Sequence, residues 1–466
     1  MNNNKYIKEK IILYFLKFLM IGIVTGGLAY TWVKYYNPYI PTPFYELGNY
    51  LMMAVFAAVY VWFVKIYGGF LVGTSPVVDL AFSQVIAVMF TQGVCYVMFS
   101  LLSYKLLSPV PFIIMVIVFG VVAVLWSVFT DFIYYKLHTP KRTVVVFGNI
   151  DSYLSLKGIR SMDKRFTVVR TFNYEKTSLN ELFEQVRSID AIFLCGVPSD
   201  YRNEVVKYCI AHGKIAYVKP KISDTIIRGG RTIQLMNVPV YRCKRSDNSL
   251  GYQVLKRFFD VVLSLIAIII SSPILLFTAI AIKAYDGGPA FYRQVRLTTN
   301  GKQFRIFKFR SMIQDAEKDG VARLAGENDD RITPIGKLIR ALRIDELPQL
   351  FNILSGDMSF VGPRPERPEI AAEYEKDMPE FALRLQVKAG LTGYAQVYGK
   401  YNTPPYDKVQ MDLMYIANQS ILEDLRLMLL TFKIMFMPSS TEGVDENQTT
   451  AKREKAENLK DEEVEQ

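Results

Sequence analysis

Long apolar runs divide the chain into a membrane part and soluble parts. Four runs near the start each approach or exceed the ~20 residues that a helix needs to cross a bilayer. They cover residues 11–33, 51–70, 81–102 and 112–134. We therefore predict four transmembrane helices within residues 1–140. Basic residues precede the first run and follow the fourth, and an even number of spans then places both ends of this part in the cytosol.

Residues 141–245 change to short strand-like runs that alternate with helical patterns. Apolar runs with strand character begin at Val144, Phe166, Ala191 and Ile215. This alternation is typical of a parallel, Rossmann-like α/β sheet. After the first strand the chain reads GNIDSYLSLKG, which lacks the GxGxxG loop of dinucleotide sites. We therefore expect a structural, assembly or regulatory role for this domain, with cofactor binding as the less favoured alternative.

A fifth apolar run, residues 258–282, is long enough to span a membrane but contains Ser272 and Pro273 near its middle. Proline removes one helical hydrogen bond and crowds the preceding turn, at a cost of about 3 kcal/mol. Seven basic residues follow between positions 283 and 310, and a spanning helix would place them outside the cell, against the positive-inside rule. We predict a re-entrant helix hairpin over residues 256–283 that bends at Ser272 and Pro273. A kinked spanning helix is the alternative.

Two adjacent carboxylates stand before a predicted helix in the last third of the chain. Asp345 and Glu346 precede Pro348, and proline favours the first turn of a helix. We predict a helix over residues 347–354, ended by Gly356, with the acidic pair at its N-terminus. Negative charge is favoured at a helix start. The pair is therefore either a helix cap or part of a phosphate-handling site.

Composition narrows the chemistry that this pair can perform. Arg340, Arg343 and Arg364 flank it, and arginines bind phosphate oxygens. The chain is 51% hydrophobic and carries a formal net charge of +11, which fits an anionic membrane surface and anionic substrates. No nucleic-acid motif is visible, so we expect no nucleic-acid partner. The two histidines lie outside this centre, and the four cysteines have no CxxC spacing, which argues against a zinc site or a disulfide framework and fits a reducing compartment.

Several motifs together resemble the bacterial sugar transferases, the polyprenyl-phosphate hexose-1-phosphate transferases. They are KRFFDVVLSL with a later SSP, KFRSM, DELPQL, GDMS, GPRP and VKAGLTGYAQVYG. Thr298, Ala389 and Tyr398 depart from the family pattern. The layout resembles the large monotopic phosphoglycosyl transferases, with four N-terminal membrane helices and a Rossmann-like middle domain. The resemblance implies a mainly helical catalytic domain over residues 252–438, with the re-entrant hairpin at its start.

The resemblance also implies a reaction and its partners. A nucleoside-diphosphate sugar, with UDP as the usual nucleotide, gives its sugar-1-phosphate to undecaprenyl phosphate and releases the nucleoside monophosphate. This would be the first membrane step of exopolysaccharide, capsule or O-antigen synthesis. It places the chain in the bacterial cytoplasmic membrane, among its lipids, with the catalytic domain on the cytosolic face. The oligomeric state stays open, with a homodimer among the alternatives, and the sugar is not identified.

Carried over residue by residue, the resemblance assigns roles to the charged centre. Asp345 is the nucleophile that forms an aspartyl-phosphosugar, and Glu346 binds Mg²⁺, with Asp345 as a second ligand. The rival mechanism is direct attack by the lipid phosphate, with Asp345 only binding metal. Phosphate or nucleotide contacts are expected from the following residues: Arg364, Lys308, Arg310, Arg340, Arg343 and Gln349.

The remaining segments carry smaller expectations. Residues 320–330 are polar and predict a mobile loop, and residues 439–466 predict a disordered tail. Residues 421–437 predict a helix that lies on the membrane, and Asp407 and Asp412 are interpreted as structural salt-bridge partners. Two different functions stay open as alternatives. One is a catalytically silent scaffold or regulator of polysaccharide assembly, and the other is a nucleotide sensor that acts through the middle domain.

Overall fold

The polypeptide folds into two compact units, Met1–Lys219 and Pro220–Gln466. The computed structural model describes residues 3–148, 165–245, 249–314, 316, 329, 331–399 and 403–435. The tail predicted at 439–466, most of the loop predicted at 320–330, and the glycine-poor segment after Gly148 lie outside the described residues. Each unit is built from its own elements and core.

The first unit begins with four long apolar helices, as the hydrophobic runs predicted. They are α1 (Asn3–Thr31), α2 (Leu47–Tyr67), α3 (Val77–Leu102) and α4 (Val110–Leu137). A π-helical turn, Trp32–Tyr36, and a short 3-10 turn, Asn37–Tyr39, extend α1. Each helix is long and apolar enough to cross a membrane. Many large apolar side chains on these helices are exposed, as lipid-facing positions require.

An aromatic cluster joins the same ends of the four helices. The rings of Trp32 and Phe99 lie 4.6 Å apart, and those of Tyr36 and Phe112 lie 4.7 Å apart. Phe56 of α2 packs edge-on against Phe99. The Tyr36 hydroxyl donates to the carbonyl oxygen of Ser108 at 2.8 Å, so this buried polar group keeps a partner.

A four-stranded parallel sheet follows, with the strand order β2-β1-β3-β4. Its elements are β1 (Lys141–Phe147), β2 (Phe166–Asn173), α5 (Leu179–Gln185), β3 (Ala191–Cys195), α6 (Ser199–Ala211) and β4 (Ile215–Val218). Val146 and Leu194 are buried in the core beneath the helices. A Cβ atom at Gly148 would collide with the carbonyl of Gly196, so this position at the end of β1 requires glycine. The predicted mixed α/β region is confirmed.

The second unit holds the charged centre on short helices and two-stranded sheets. It starts with α7 (Ile222–Arg228) and the hairpin β5 (Arg231–Leu235) and β6 (Val238–Arg242). The sequence placed these three elements in the middle domain. In the structure, Ile222 of α7 shares a core with Val409 and Leu413 of the second unit. Contacts between residues so distant in the chain leave no local signal in the sequence.

The other elements of the second unit alternate helices with strand pairs. The first are α8 (Leu250–Asp286), the antiparallel pair β7 (Phe291–Leu297) and β8 (Gln303–Phe309), α9 (Pro334–Ala341) and α10 (Gln349–Ser355). The last are β9 (Met358–Val361), α11 (Pro368–Asp377), a 3-10 segment (Pro379–Gln386), β10 (Ala389–Thr392), α12 (Tyr394–Tyr398), α13 (Pro405–Ala417) and α14 (Ile421–Met435). β10 pairs with β9 in parallel.

Helix α8 is a single helix of 37 residues that continues through Pro273. The sequence predicted a break between two helices at Ser272 and Pro273, and helical structure is not interrupted there. The Ser272 hydroxyl donates to the carbonyl oxygen of Ile269 at 2.8 Å. This is the carbonyl that a backbone N–H at position 273 would bind in a regular helix, and proline has none. The Ser272 hydroxyl therefore replaces the hydrogen bond whose loss led us to predict a break. The re-entrant path of this segment through the membrane stays a prediction.

One face of α8 carries a polar stripe, defined as Tyr252, Lys256, Asp260 and Ser264, at intervals of four residues. Residues four apart lie above one another on a helix. Lys256 Nζ lies 2.7 Å from Asp424 Oδ2 of α14, which also accepts a hydrogen bond from Tyr252 at 3.0 Å. Asp260 accepts from the backbone N–H of Phe360 at 3.1 Å. The polar stripe thus fixes α8 to the rest of the second unit, while the other faces of α8 are largely apolar and exposed.

We expect Ser272→Ala to lower the free energy of unfolding by about 1–3 kcal/mol, because the Ile269 carbonyl loses its partner in apolar surroundings. Thermal unfolding in lipid nanodiscs measures this. Ser271→Ala is the matched control, because Ser271 donates to the Ala267 carbonyl, which the helix already satisfies. The double variant Ser272→Ala/Pro273→Ala should recover the loss by restoring an N–H. Equal losses from both serine variants would contradict this account.

Candidate functional site

The acidic pair lies in a tight turn just before helix α10. A 3-10 turn covers Ile344–Glu346, and Arg343 enters it in the left-handed region, with φ 57°. The turn closes through a hydrogen bond from the Leu347 N–H to the Ile344 carbonyl at 3.1 Å. Helix α10 then covers Gln349–Ser355 and is capped by Gly356, whose φ is 92°.

The predicted helix over residues 347–354 therefore starts two residues too early. Its end at Gly356 is confirmed. Pro348 is the N-cap and does not lie within the first helical turn, because a 3-10 turn covers the residues before it. The acidic pair precedes the helix and is not part of its first turn.

Glu346 binds two cationic side chains through one carboxylate oxygen. Its Oε1 atom accepts from Lys308 Nζ at 3.2 Å and from Arg364 Nη2 at 3.1 Å. Lys308 is contributed by β8, and Arg364 by the turn that follows β9. The Glu346 side chain is only 14% exposed. Because solvent screens this contact little, the three charges hold three chain segments together.

Electrostatics at the pair favour negative charge on Glu346. Burial alone would raise the pKa of Glu346, but Lys308, Arg364 and Arg343 outweigh it and hold that pKa well below its usual range. The pKa of Lys308 is also lowered, by burial and by Arg364, against the opposing charge of Glu346. Both shifts follow from an excess of positive charge in a partly dehydrated site.

Asp345 responds in the opposite direction to its neighbour. Burial and the charge of Glu346 raise its pKa, while Lys308, Arg340 and Arg343 oppose the rise. The pKa values of the two adjacent carboxyl groups therefore shift in opposite directions: Glu346 stays ionised, and Asp345 is easier to protonate. Such divergence is typical of carboxylates with different chemical roles.

Helix α10 is fixed at both sides of its last turn by residues that the sequence analysis did not single out. The Asn352 side chain accepts from the Phe307 N–H at 2.8 Å and donates to the Arg305 carbonyl at 2.9 Å. It therefore fixes α10 to β8 next to Lys308. Arg257 of α8 donates to the carbonyls of Ile353 at 2.6 Å and Leu354 at 2.7 Å. An asparagine inside the apolar run LFNIL was the available signal for the first contact.

A buried ion pair holds the backbone carbonyl of Arg364. Arg384 donates to the Arg364 carbonyl at 3.0 Å and lies 2.8 Å from Asp412. The side chains of Arg384 and Asp412 are 3% and 1% exposed. Burial raises the pKa of Asp412 to about 6, in spite of Arg384. Asp412 is thus a salt-bridge partner, as interpreted from the sequence, and it fixes the turn that presents Arg364.

The other predicted site residues differ in their surroundings and in their relation to the acidic pair. Arg340 and Arg343 are close enough to lower the pKa of Asp345. Gln349 is 3% exposed at the start of α10, and its Nε2 atom has no hydrogen-bond partner among the described residues. Arg310 is buried in an ion pair with Asp286 at the end of α8. The Nε and Nη1 atoms of Arg310 have no hydrogen-bond partner among the described residues, and its predicted contact with phosphate stays a prediction.

The donor groups at the acidic pair determine how Mg²⁺ could bind there. Among the described residues, no group of three or more His, Cys, Asp or Glu side chains could hold a metal ion by itself. Mg²⁺ is often bound by one or two carboxylates and completed by water and substrate phosphates. Asp345 and Glu346 fit this second mode and do not form an all-protein metal site.

Comparison with known proteins places this site in a matched region. Residues 251–438 match the family model of the bacterial sugar transferases. An uncharacterized sugar transferase of Bacillus subtilis is 38% identical over 201 residues, which are 43% of this chain and 95% of that protein.

Two further relatives have names that state a reaction. A UDP-N-acetylgalactosamine-undecaprenyl-phosphate N-acetylgalactosaminephosphotransferase of Aeromonas hydrophila is 38% identical, over 43% of this chain and 52% of its own length. A UDP-glucose:undecaprenyl-phosphate glucose-1-phosphate transferase of Klebsiella pneumoniae is 35% identical, over 54% of this chain and 56% of its own. The chain thus spans about half the length of these two relatives.

We expect Lys308→Met to lower the free energy of unfolding by about 2 kcal/mol at pH 8, because Glu346 loses a charge-assisted hydrogen bond. The loss should be smaller at pH 5. The pKa of Glu346 is depressed in the folded protein, so its ionised form stabilises the fold above the unfolded value of about 4.3. Without Lys308, burial raises that pKa, and the folded state binds a proton as the pH falls.

Thermal unfolding in detergent at both pH values measures this difference. Lys337→Met, at an exposed lysine of α9, is the matched control and should have little effect at either pH. A loss that is larger at pH 5 than at pH 8 would contradict the proposed balance of charges.

Proposed function

The chain belongs to the bacterial sugar transferase family, and on this premise we propose that it transfers a sugar-1-phosphate from a nucleoside-diphosphate sugar to undecaprenyl phosphate. The products are undecaprenyl-diphosphate-sugar and the nucleoside monophosphate, with a UDP-hexose as the donor class. The Aeromonas and Klebsiella relatives, with their UDP-sugar donors and undecaprenyl-phosphate acceptor, support this assignment. We further propose that the reaction is the first membrane step in making an exopolysaccharide, capsule or O-antigen.

The observation that carries the proposal is the excess of positive charge around the acidic pair. Four cationic side chains act on it, namely Lys308, Arg340, Arg343 and Arg364, against the two carboxylates. A diphosphate would neutralise this excess, since arginine and lysine bind phosphate oxygens strongly. A silent scaffold would not need to maintain such a cluster of partly buried charge, which is costly without a ligand.

In the proposed mechanism Asp345 is the nucleophile. Its carboxylate attacks the phosphorus that bears the sugar, and the bond from this phosphorus to the bridging oxygen breaks. The nucleoside monophosphate leaves with the bonding electrons. A phosphate oxygen of the lipid then attacks the same phosphorus, and the Asp345 carboxylate departs. Two steps allow two bulky substrates to use one site in turn.

The neighbouring side chains orient the reacting groups. Arg364 and Lys308 are the proposed ligands of the phosphate oxygens, and Glu346 holds both in place. Arg340, Arg343 and Gln349 are proposed to complete the phosphate site. Glu346 and Asp345 would hold Mg²⁺, which would supply positive charge to the diphosphate and its leaving group. Arg310, which is ion-paired with Asp286, is proposed as a further phosphate contact.

We propose the following membrane arrangement. Helices α1–α4 span the bacterial cytoplasmic membrane with both ends in the cytosol, and β1–β4 form a Rossmann-like domain. Helix α8 enters the cytosolic leaflet and returns, so that the acidic pair meets the lipid phosphate at the level of the headgroups. The exposed apolar faces of α8 support its insertion, and the basic residues that follow it support the cytosolic side.

We expect membranes that contain the wild type and undecaprenyl phosphate to release UMP from one member of a UDP-sugar panel. Asp345→Asn should abolish this release, because an amide is not a nucleophile for phosphorus. Asp200→Asn, at an exposed aspartate of α6, is the matched control and should keep full activity. Equal release by wild type and Asp345→Asn would exclude Asp345 as nucleophile. Silence of the wild type across the panel would favour a scaffold.

Donor alone should leave a covalent sugar phosphate on Asp345. With a UDP-sugar labelled at the sugar-bearing phosphate and no lipid acceptor, we expect label to remain on the denatured protein and to map to the peptide that contains Asp345. Undecaprenyl phosphate added before denaturation should remove it. Release of UMP only when lipid is present, without protein-bound label, would favour direct attack by the lipid phosphate.

A further inference from the structure

Arg257 joins the apolar helix α8 to the short helix that follows the acidic pair. Its two terminal nitrogens donate to consecutive carbonyls in the last turn of α10, Ile353 at 2.6 Å and Leu354 at 2.7 Å. The Ile353 carbonyl also accepts from the Gly356 N–H at 3.1 Å, and positive charge is favoured at a helix C-terminus. The guanidinium therefore adds two donors and a positive charge at the end of α10 that lies opposite the acidic pair.

Helix α10 is short and tightly packed, so a displacement at its last turn also displaces its first turn. It has seven residues, so its ends are about 10 Å apart. Leu350 and Ile353 are buried in a core with Phe304 and Ile306 of β8. Asn352 binds the β8 backbone next to Lys308. A shift of the last turn of α10 therefore moves its first turn, and with it the Asp345–Glu346 turn, relative to Lys308.

We propose that Arg257 is a positioning residue for the transfer reaction: it fixes α10, and through it the acidic pair, to α8. The inference rests on the proposed function. Arg257 does not touch the reacting groups, since both of its terminal nitrogens are engaged by backbone carbonyls. It acts by holding Asp345 at a fixed place relative to the helix that is proposed to lie among the lipids.

Other contacts keep α8 attached when Arg257 is changed, so its effect can be separated from general folding. Lys256 pairs with Asp424, and Asp260 accepts from the backbone N–H of Phe360 and the hydroxyl of Ser359. Neither contact involves α10. Loss of Arg257 should therefore loosen α10 while α8 stays bound to the rest of the second unit.

The test uses the full-length protein in lipid nanodiscs with Arg257→Gln, Arg257→Lys and a control. Arg228→Gln is the matched control, because Arg228 is also a helical arginine of the second unit but is exposed. Hydrogen exchange followed by mass spectrometry measures the backbone amides of residues 344–356 and of the remaining described segments. UMP release gives kcat and the KM of each substrate.

In Arg257→Gln we expect faster exchange confined to residues 344–356. We also expect kcat to fall about 10- to 100-fold, the scale expected when a reacting group is displaced by about 1 Å. Both KM values should stay within about twofold, because no substrate contact is lost. Arg257→Lys should be intermediate, since an ammonium group reaches one carbonyl and not two. Arg228→Gln should match the wild type.

Three results would overturn the proposal. One is a raised KM for undecaprenyl phosphate with unchanged kcat, which would make Arg257 a lipid-phosphate contact. Another is unchanged kcat in both variants. The third is faster exchange throughout the second unit, which would make Arg257 a general folding residue. If the wild type releases no UMP, the proposed function fails. Unchanged hydrogen exchange at residues 344–356 in Arg257→Gln would then still refute the proposal that Arg257 fixes α10.

Discussion

The site depends on one carboxylate oxygen that accepts two cations. Glu346 Oε1 joins Lys308 of β8, Arg364 of the turn after β9, and its own turn before α10. Lys308 and Arg364 lie 38 and 18 residues from Glu346 in the chain, and this contact joins the three segments at the site. Because the group is partly buried, removal of one partner would leave charge that the protein cannot easily solvate. The position of the neighbouring Asp345 therefore follows from the charge balance at Glu346.

Around this contact the second unit forms a series of braces. Arg384 and Asp412 fix the carbonyl of Arg364, and Asn352 fixes the strand that carries Lys308. Arg257 fixes the far end of α10. Each brace uses side chains that bind backbone groups, which sets the path of the chain more firmly than contacts between two flexible side chains. The reactive groups are thus held by a second layer of polar contacts, as precise chemistry requires.

Local patterns predicted much of this structure from the sequence. Apolar runs gave the N-terminal helices, alternation gave the α/β sheet, and Gly356 gave the end of α10, because each signal depends on neighbouring residues. Contacts over long sequence separations could not be read in this way. Arg257 and Ile353 are 96 residues apart, and Arg310 and Asp286 are 24 apart. The continuous course of α8 depends on the Ser272 hydroxyl, which offsets the missing N–H of Pro273.

The polar stripe of α8 has a consequence for biogenesis. Lys256 binds Asp424 and Tyr415, and Asp260 binds Ser359 and Phe360; all four partners are synthesised about one hundred residues or more after them. A nascent α8 in contact with lipid would therefore hold charged groups without partners, which is unfavourable in a bilayer. In the proposed membrane arrangement, stable insertion of α8 would therefore follow the folding of the downstream chain against the stripe. Membrane attachment of this segment would then be a late, co-operative step.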